Sequence, residues 1–266
     1  MAQHIYRAQV LHFASHDQLI HFDDGALLVD DATGRVVTVG QAQDVLAQNP
    51  DTPVTAYDNK LIMPGFIDSH VHFPQVDVIA SYGAQLLDWL NDYTFPTEIS
   101  FQDDDKANQT AHFFLNELFK NGTTTALVFA TVHKSSVNAF FKASEHYNSR
   151  MICGKVMMDR NAPDDLCDTP QSSFDDSQEL IDQWHGNGRQ LYAVTPRFAI
   201  TSTPEQLEKA GQLMQANPGV YMQTHLSENQ DEINFVKELF PERKSYLDVY
   251  DHYRLLGPRS VFAHGV

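Results

Sequence analysis

Residues 63–72 read Met63-Pro64-Gly65-Phe66-Ile67-Asp68-Ser69-His70-Val71-His72, an apolar run that ends in two histidines spaced i, i+2. Side chains two apart on a strand share one face. If this run is a barrel strand, both imidazoles project from its C-terminal end, where barrel enzymes keep their sites. Two neutral imidazoles at that spacing suit zinc or iron. A lone pair of this kind also arises by coincidence, so the surrounding pattern must carry the reading.

Outward from this stretch, short apolar runs alternate with longer helical stretches. The runs cover residues 61–67, 123–130, 151–158, 191–195, 220–224 and 260–263. The candidate helices include residues 105–120, 134–148, 173–186, 204–217 and 229–239. Such alternation predicts a parallel sheet with right-handed crossovers, and buried parallel strands read as continuous apolar runs. The expected class is α/β, a (β/α)8 TIM-type barrel whose first six strands lie in residues 61–266. No Gly-x-Gly-x-x-Gly follows a strand, which lowers the dinucleotide-binding reading.

Residues 1–60 have a different texture. Strand-like runs at 4–10, 26–29 and 35–39 are punctuated by Asp23-Asp24-Gly25 and Thr33-Gly34, and a helix is expected over 41–48. These residues predict a small β-rich domain.

The 266 residues carry 18 Lys plus Arg against 35 Asp plus Glu, a formal charge of -17. That field repels phosphate backbones and anionic membranes, so nucleic acid is an unexpected partner, while a small neutral substrate is allowed. Acidic surfaces also serve simply to keep soluble enzymes dispersed. Cys153 and Cys167 form no CxxC pair and give no thiolate zinc site. No signal-peptide pattern and no long apolar run is evident, and a cytoplasmic location without membrane association is expected.

Two more histidines stand at strand ends: His225 closes the run 220–224 and His264 closes the run 260–263. Among 13 histidines one such placement is unremarkable, but four at the ends of three predicted strands is not. His112, His133, His146, His185 and His252 fall on helices or loops and read as exposed or hydrogen-bonded. Glu228 follows His225 by three residues. A carboxylate there can reach both a metal-bound water and a substrate, and partial burial would suit it to carry a proton. It reads equally well as a helix-start residue at the positive end of a dipole.

At this point the motifs resemble a known family. Pro64-Gly65-Phe66-Ile67-Asp68-Ser69-His70-Val71-His72 is similar to the opening motif of the amidohydrolase superfamily. His72-Phe73-Pro74-Gln75, the segment from Leu87 to Glu98, Gly122-Thr123-Thr124-Thr125, Gly154-Lys155-Val156-Met157-Met158-Asp159 and Thr195-Pro196-Arg197-Phe198 resemble its guanine deaminase branch. So do His225-Leu226-Ser227-Glu228-Asn229 and Phe262-Ala263-His264-Gly265. The likeness spans nearly the whole chain in the family's order.

The resemblance implies hydrolytic deamination of guanine to xanthine and ammonia, in a cytoplasmic homodimer with one zinc per subunit, iron being the alternative. His70, His72 and His225 match the metal ligands. His264 matches a residue that contacts the hydrolytic water, and Glu228 matches the proton shuttle. Gln75 and Arg197 match residues that hydrogen-bond the purine edges, with Phe198 beside them. The rival readings are a loop residue for Gln75 and a surface ion pair for Arg197. No PCxxC is present, so the His/Cys/Cys deaminase class is excluded.

The resemblance also calls for two further strands, an Asp ligand on the eighth, and a C-terminal segment that completes the N-terminal β unit. The expectation is therefore that the chain is part of a longer protein, or else a truncated product with little turnover. A different amidohydrolase, such as a chlorohydrolase or another purine or pyrimidine deaminase, is the main rival activity. A non-catalytic metal-binding fragment is the other.

Overall fold

A computed structural model describes residues 2–82 and 85–266. The chain divides into two compact units, Met1–Gly65 and Phe66–Val266.

In the first unit, β1 (Gln3–Ser15), β2 (Gln18–Asp30), β3 (Arg35–Gln41), α1 (Ala42–Gln48) and β4 (Val54–Ile62) follow in order. The sheet order is β3-β2-β1-β4, with β4 parallel to β1 and the other pairs antiparallel. Ile5, Ala26, Leu28, Ala42 and Val45 form its small core. The turn expected at Asp23-Asp24-Gly25 lies instead inside β2. There Ala8 pairs Gly25 but Val10 pairs Phe22, so β2 carries one extra residue. This is a bulge, which accommodates the polar pair without ending the strand. Arg7 holds Asp24 by two hydrogen bonds of 2.7 Å.

The run 61–67 is not one strand. Leu61 and Ile62 end β4, and Phe66 opens β5 (Phe66–His72) in the second unit. Pro64 lacks the N–H that a continuous ladder needs, so the chain breaks there.

The second unit holds β5, then a 3-10 helix over Phe73–Val78, α2 (Leu86–Trp89), a π-helical turn over Leu90–Thr94 and α3 (Phe95–Ile99). After these come α4 (Asp104–Lys120), β6 (Thr123–Phe129), α5 (Lys134–His146), β7 (Arg150–Gly154), β8 (Val156–Met157) and α6 (Pro170–Trp184). The series ends with β9 (Leu191–Pro196), α7 (Pro204–Ala216), β10 (Tyr221–Leu226), α8 (Gln230–Leu239), α9 (Tyr246–His252) and β11 (Ser260–His264). Side-chain caps set several helix starts: Asp103, Thr169, Thr203, Asn229 and Ser245 each accept a first-turn N–H. Thr169 with Pro170 behind it starts α6 earlier than the apolar period alone suggested.

The strands run parallel in the order β5-β6-β7-β9-β10-β11, with β8 paired on β9. β5 and β11 stand at opposite ends of that order, yet the rings of His70 and His264 lie 5.3 Å apart. The sheet is thus rolled into a nearly closed barrel, the expected fold. Helices pack on its outside over a core that includes Phe73, Phe140, Met151, Val194 and Met222, all fully buried.

The run 151–158 is interrupted at Lys155, so β8 pairs with β9 alone. Just before the break, Gly154 presses against the neighbouring strand: a Cβ there would sit 1.7 Å from the carbonyl oxygen of Ala193. The backbone on both sides is held by the sheet. Gly154→Ala is expected to cost ~3 kcal/mol or more by forcing these strands apart, read as a lowered Tm in thermal denaturation. An unchanged Tm would show that the strands give way freely.

Candidate active site

All eight residues singled out from the sequence line one cavity at the C-terminal ends of these strands: His70, His72, Gln75 and Arg197, together with Phe198, His225, Glu228 and His264. His70 and His72 end β5, His225 lies near the end of β10, and His264 ends β11. The β10–β11 register pairs Leu226 with His264, which brings the last two elements to the same level.

The ring nitrogens of His70, His72 and His225 lie within 4.8 Å of one another. His225 Nδ1 is 2.8 Å from the Arg197 carbonyl oxygen. A carbonyl only accepts, so Nδ1 carries the proton and Nε2 presents a lone pair to the cavity. That lone pair faces His72 Nε2 at 3.0 Å. Two basic nitrogens meeting in a buried place call for a proton or a cation between them. Burial pushes both rings well below the usual imidazole range, each with a neighbouring histidine adding to the effect. Burial, then His264, takes His70 down to about 4. Three neutral imidazoles with one tautomer locked by a carbonyl are a donor set that fits a divalent cation such as zinc.

Glu228 Oε2 lies 3.5 Å from His264 Nε2. Burial raises its pKa, with His264 acting against that shift. Glu228 is not the helix-start residue of α8, because Asn229 caps that helix and Glu232 returns the capping bond. Its side chain is instead free to face the histidines. Two non-glycine residues here adopt left-handed backbone, Ser227 at φ 53° and His264 at φ 74°. Strain of this kind persists where surrounding bonds enforce it. Gly265 N–H donates to Leu226 O at 2.7 Å, and Val266 N–H donates to Ser227 O at 3.0 Å.

Arg197 forms no surface ion pair. It is 2% exposed, and its Nη1 donates to both oxygens of Glu98, at 2.9 and 2.8 Å. Its guanidinium also lies 5.4 Å from the Phe95 ring centre. Gln75 sits in the 3-10 helix after β5, and its amide has no hydrogen-bond partner among the described residues. Phe198 stands 6.4 Å from the His225 ring. Leu86, Trp89 and Leu90 add apolar wall.

The carboxylate of Glu98 was not assigned a role from the sequence. It lies in a short helix with no period to mark its buried face, and its partner is 99 positions away. His112, His133, His146, His185 and His252 lie outside the cavity, as expected. His185 Nδ1 accepts the N–H of Tyr192 at 3.1 Å, and His112 Nδ1 is 3.3 Å from the Tyr147 hydroxyl.

Residues 61–266 match the amidohydrolase family. A guanine deaminase of Escherichia coli K12 is 53% identical over 245 residues, covering 92% of this chain and 55% of that protein. A probable guanine deaminase of Deinococcus radiodurans is 41% identical, covering 98% of this chain and 62% of the relative. Among solved structures, E. coli guanine deaminase superposes with a TM-score of 0.95 at 48% identity, covering 98% of this chain and 62% of that one. A guanine deaminase from C. acetobutylicum with guanine bound in its active site gives 0.89 at 32% identity, covering 98% and 62%. The chain therefore spans little more than half the length of the relatives it matches. Triazine hydrolases at 18% identity share the fold. With its barrel, its three converging imidazoles and its match over most of its length, the chain belongs to the amidohydrolase family.

Proposed function

We propose that this chain carries the substrate-binding and metal-binding part of an aminohydrolase that converts guanine and water to xanthine and ammonia. The observation that carries this reading is the convergence of a histidine trio, a partly buried carboxylate and a guanidinium on one apolar-walled cavity. The relatives named guanine deaminase supply the substrate. In this reading the second unit, Phe66–Val266, is the catalytic barrel and the first, Met1–Gly65, a small β-rich domain, so the boundary expected at 60/61 falls a few residues later. The protein works as a cytoplasmic homodimer with one zinc, or alternatively iron, per subunit. No helix among the described residues is long and apolar enough to cross a membrane.

His70, His72 and His225 hold the metal, which when bound supplies a nucleophilic water at neutral pH by lowering its pKa. The remaining work falls to the chain's own side chains. Guanine lies against Phe198 and Trp89, with C2 turned to the histidines and the purine edges met by Gln75 and Arg197. Glu228 gives a proton to a ring nitrogen next to C2 as the oxygen adds. Now a carboxylate, it takes the proton of the added oxygen and passes it to the departing amine, so that C2–N breaks, the C2 carbonyl forms and neutral ammonia leaves. His264 donates to the oxygen on which negative charge gathers. An apolar wall strengthens each of these polar contacts by excluding water.

A substrate panel tests the reading against other amidohydrolase chemistries. Guanine, adenine, cytosine and a chlorinated triazine are offered separately to the metal-loaded protein, and ammonia or chloride release is followed. Guanine is expected to be preferred by ~10⁴-fold, the discrimination a site with dedicated hydrogen bonds achieves. Faster chloride release from the triazine would sink the assignment.

A further inference from the structure

Glu98 and Arg197 form a fully buried ion pair between α3 and the end of β9. Buried pairs seldom add stability over apolar packing, so stability alone does not account for this one. The geometry supplies one. Glu98 takes Nη1 with both carboxylate oxygens. Nε and Nη2 of Arg197 have no hydrogen-bond partner among the described residues, and the side chain, only 3% exposed, lines the cavity. The side of the guanidinium left for a ligand is therefore the Nε–Nη2 edge, two parallel donors.

We propose that Glu98 is a specificity-positioning residue: by clamping Nη1 it fixes Arg197 as a two-donor fork that selects a purine edge with two acceptors. This rests on the reading of the cavity as a guanine site and names how that site chooses its base. With C2 at the histidines and an adjacent ring nitrogen at Glu228, the acceptors left on guanine are O6 and N7. They share one edge, and arginine reads this same edge in DNA with its paired donors. An amino group at C6 replaces an acceptor with a donor. It would face the fork donor to donor, and a buried unpaired donor is costly. A guanidinium without its clamp could rotate or withdraw, and the penalty would fall.

The test uses two purines that already carry oxygen at C2 and so have no C2 amine to lose. Xanthine carries oxygen at C6, and isoguanine carries an amino group there. Calorimetry on the intact metal-loaded protein gives their Kd ratio in wild type, Glu98→Gln and Glu98→Asp. Glu98→Gln removes the charge; Glu98→Asp keeps it and shortens the reach. Wild type is expected to prefer xanthine by ~100-fold, and both variants to lose at least ~10-fold of that preference. If Glu98→Gln fails to fold, Glu98→Asp decides alone, since it keeps both opposite charges in the same buried place while withdrawing the carboxylate from Nη1. A ratio unchanged in folded variants, or both ligands weakened equally, would overturn the proposal and leave Glu98 as structural glue. Guanine turnover by wild type is measured beside it. Turnover with an unchanged ratio removes only the role of Glu98. Failure of wild type to bind either purine removes the guanine reading and this proposal with it.

Discussion

Replacing Glu228 by glutamine is expected to lower kcat for guanine by ~10²–10⁴-fold, the usual contribution of a positioned acid–base group. The substitution keeps shape and most hydrogen bonding but cannot carry a proton. The side chain lies off α8, whose cap is made by Asn229 and Glu232, so helix and fold should survive. KM for guanine and metal content should stay near wild type, because Gln75, Arg197 and the three histidines are untouched. Stopped-time measurement of xanthine, with metal quantified in the same sample, checks this. A glutamine variant with undiminished kcat would remove Glu228 from the chemistry, and the proton would have to travel by another route.

The second large effect concerns the histidine trio. His225→Ala removes a ring whose Nδ1 is anchored on the Arg197 carbonyl and whose Nε2 faces His72. Loss of a partner that only orients a ligand typically costs ~10–100-fold in metal affinity, and loss of the ligand itself should cost more than ~100-fold. The variant is expected to lose its metal to a mild chelator that leaves wild type loaded. The Arg197 carbonyl loses one donor but keeps the backbone N–H of residue 225 at 3.1 Å and the Thr224 hydroxyl at 3.2 Å, so Tm should fall only slightly. Retention of a full metal complement by His225→Ala would mean that the ion is held elsewhere.

Much of this architecture was legible in the sequence because parallel barrel strands are buried on both faces. The runs picked out at 123–130 and 220–224 contain the strands β6 (Thr123–Phe129) and β10 (Tyr221–Leu226) of the fold. The four strand-end histidines were legible for the same reason: a polar, metal-competent residue at the end of an apolar run stands out. Other elements were hidden by their length. The helical pieces over Phe73–Val78, Leu86–Trp89 and Phe95–Ile99 are too short to display a period. Glu98 was invisible as a partner of Arg197 because nothing local says that a carboxylate 99 positions away is buried beside it. Asp23-Asp24-Gly25 misled in the opposite direction. Its residues favour turns, but a bulge tolerates them, and pairing on β1 overrides local preference. Pro64-Gly65 was the opposite case, a break taken for the middle of one run. There the missing N–H decided.

The central claim is that water replaces the C2 amine of guanine at this cavity. It is tested most directly by incubating the metal-loaded protein with guanine in 18O-labelled water and weighing the products. The account predicts xanthine with a single 18O atom at C2 and ammonia in equal amount. Xanthine without the label, ammonia without xanthine, or neither product from fully metal-loaded protein would contradict it.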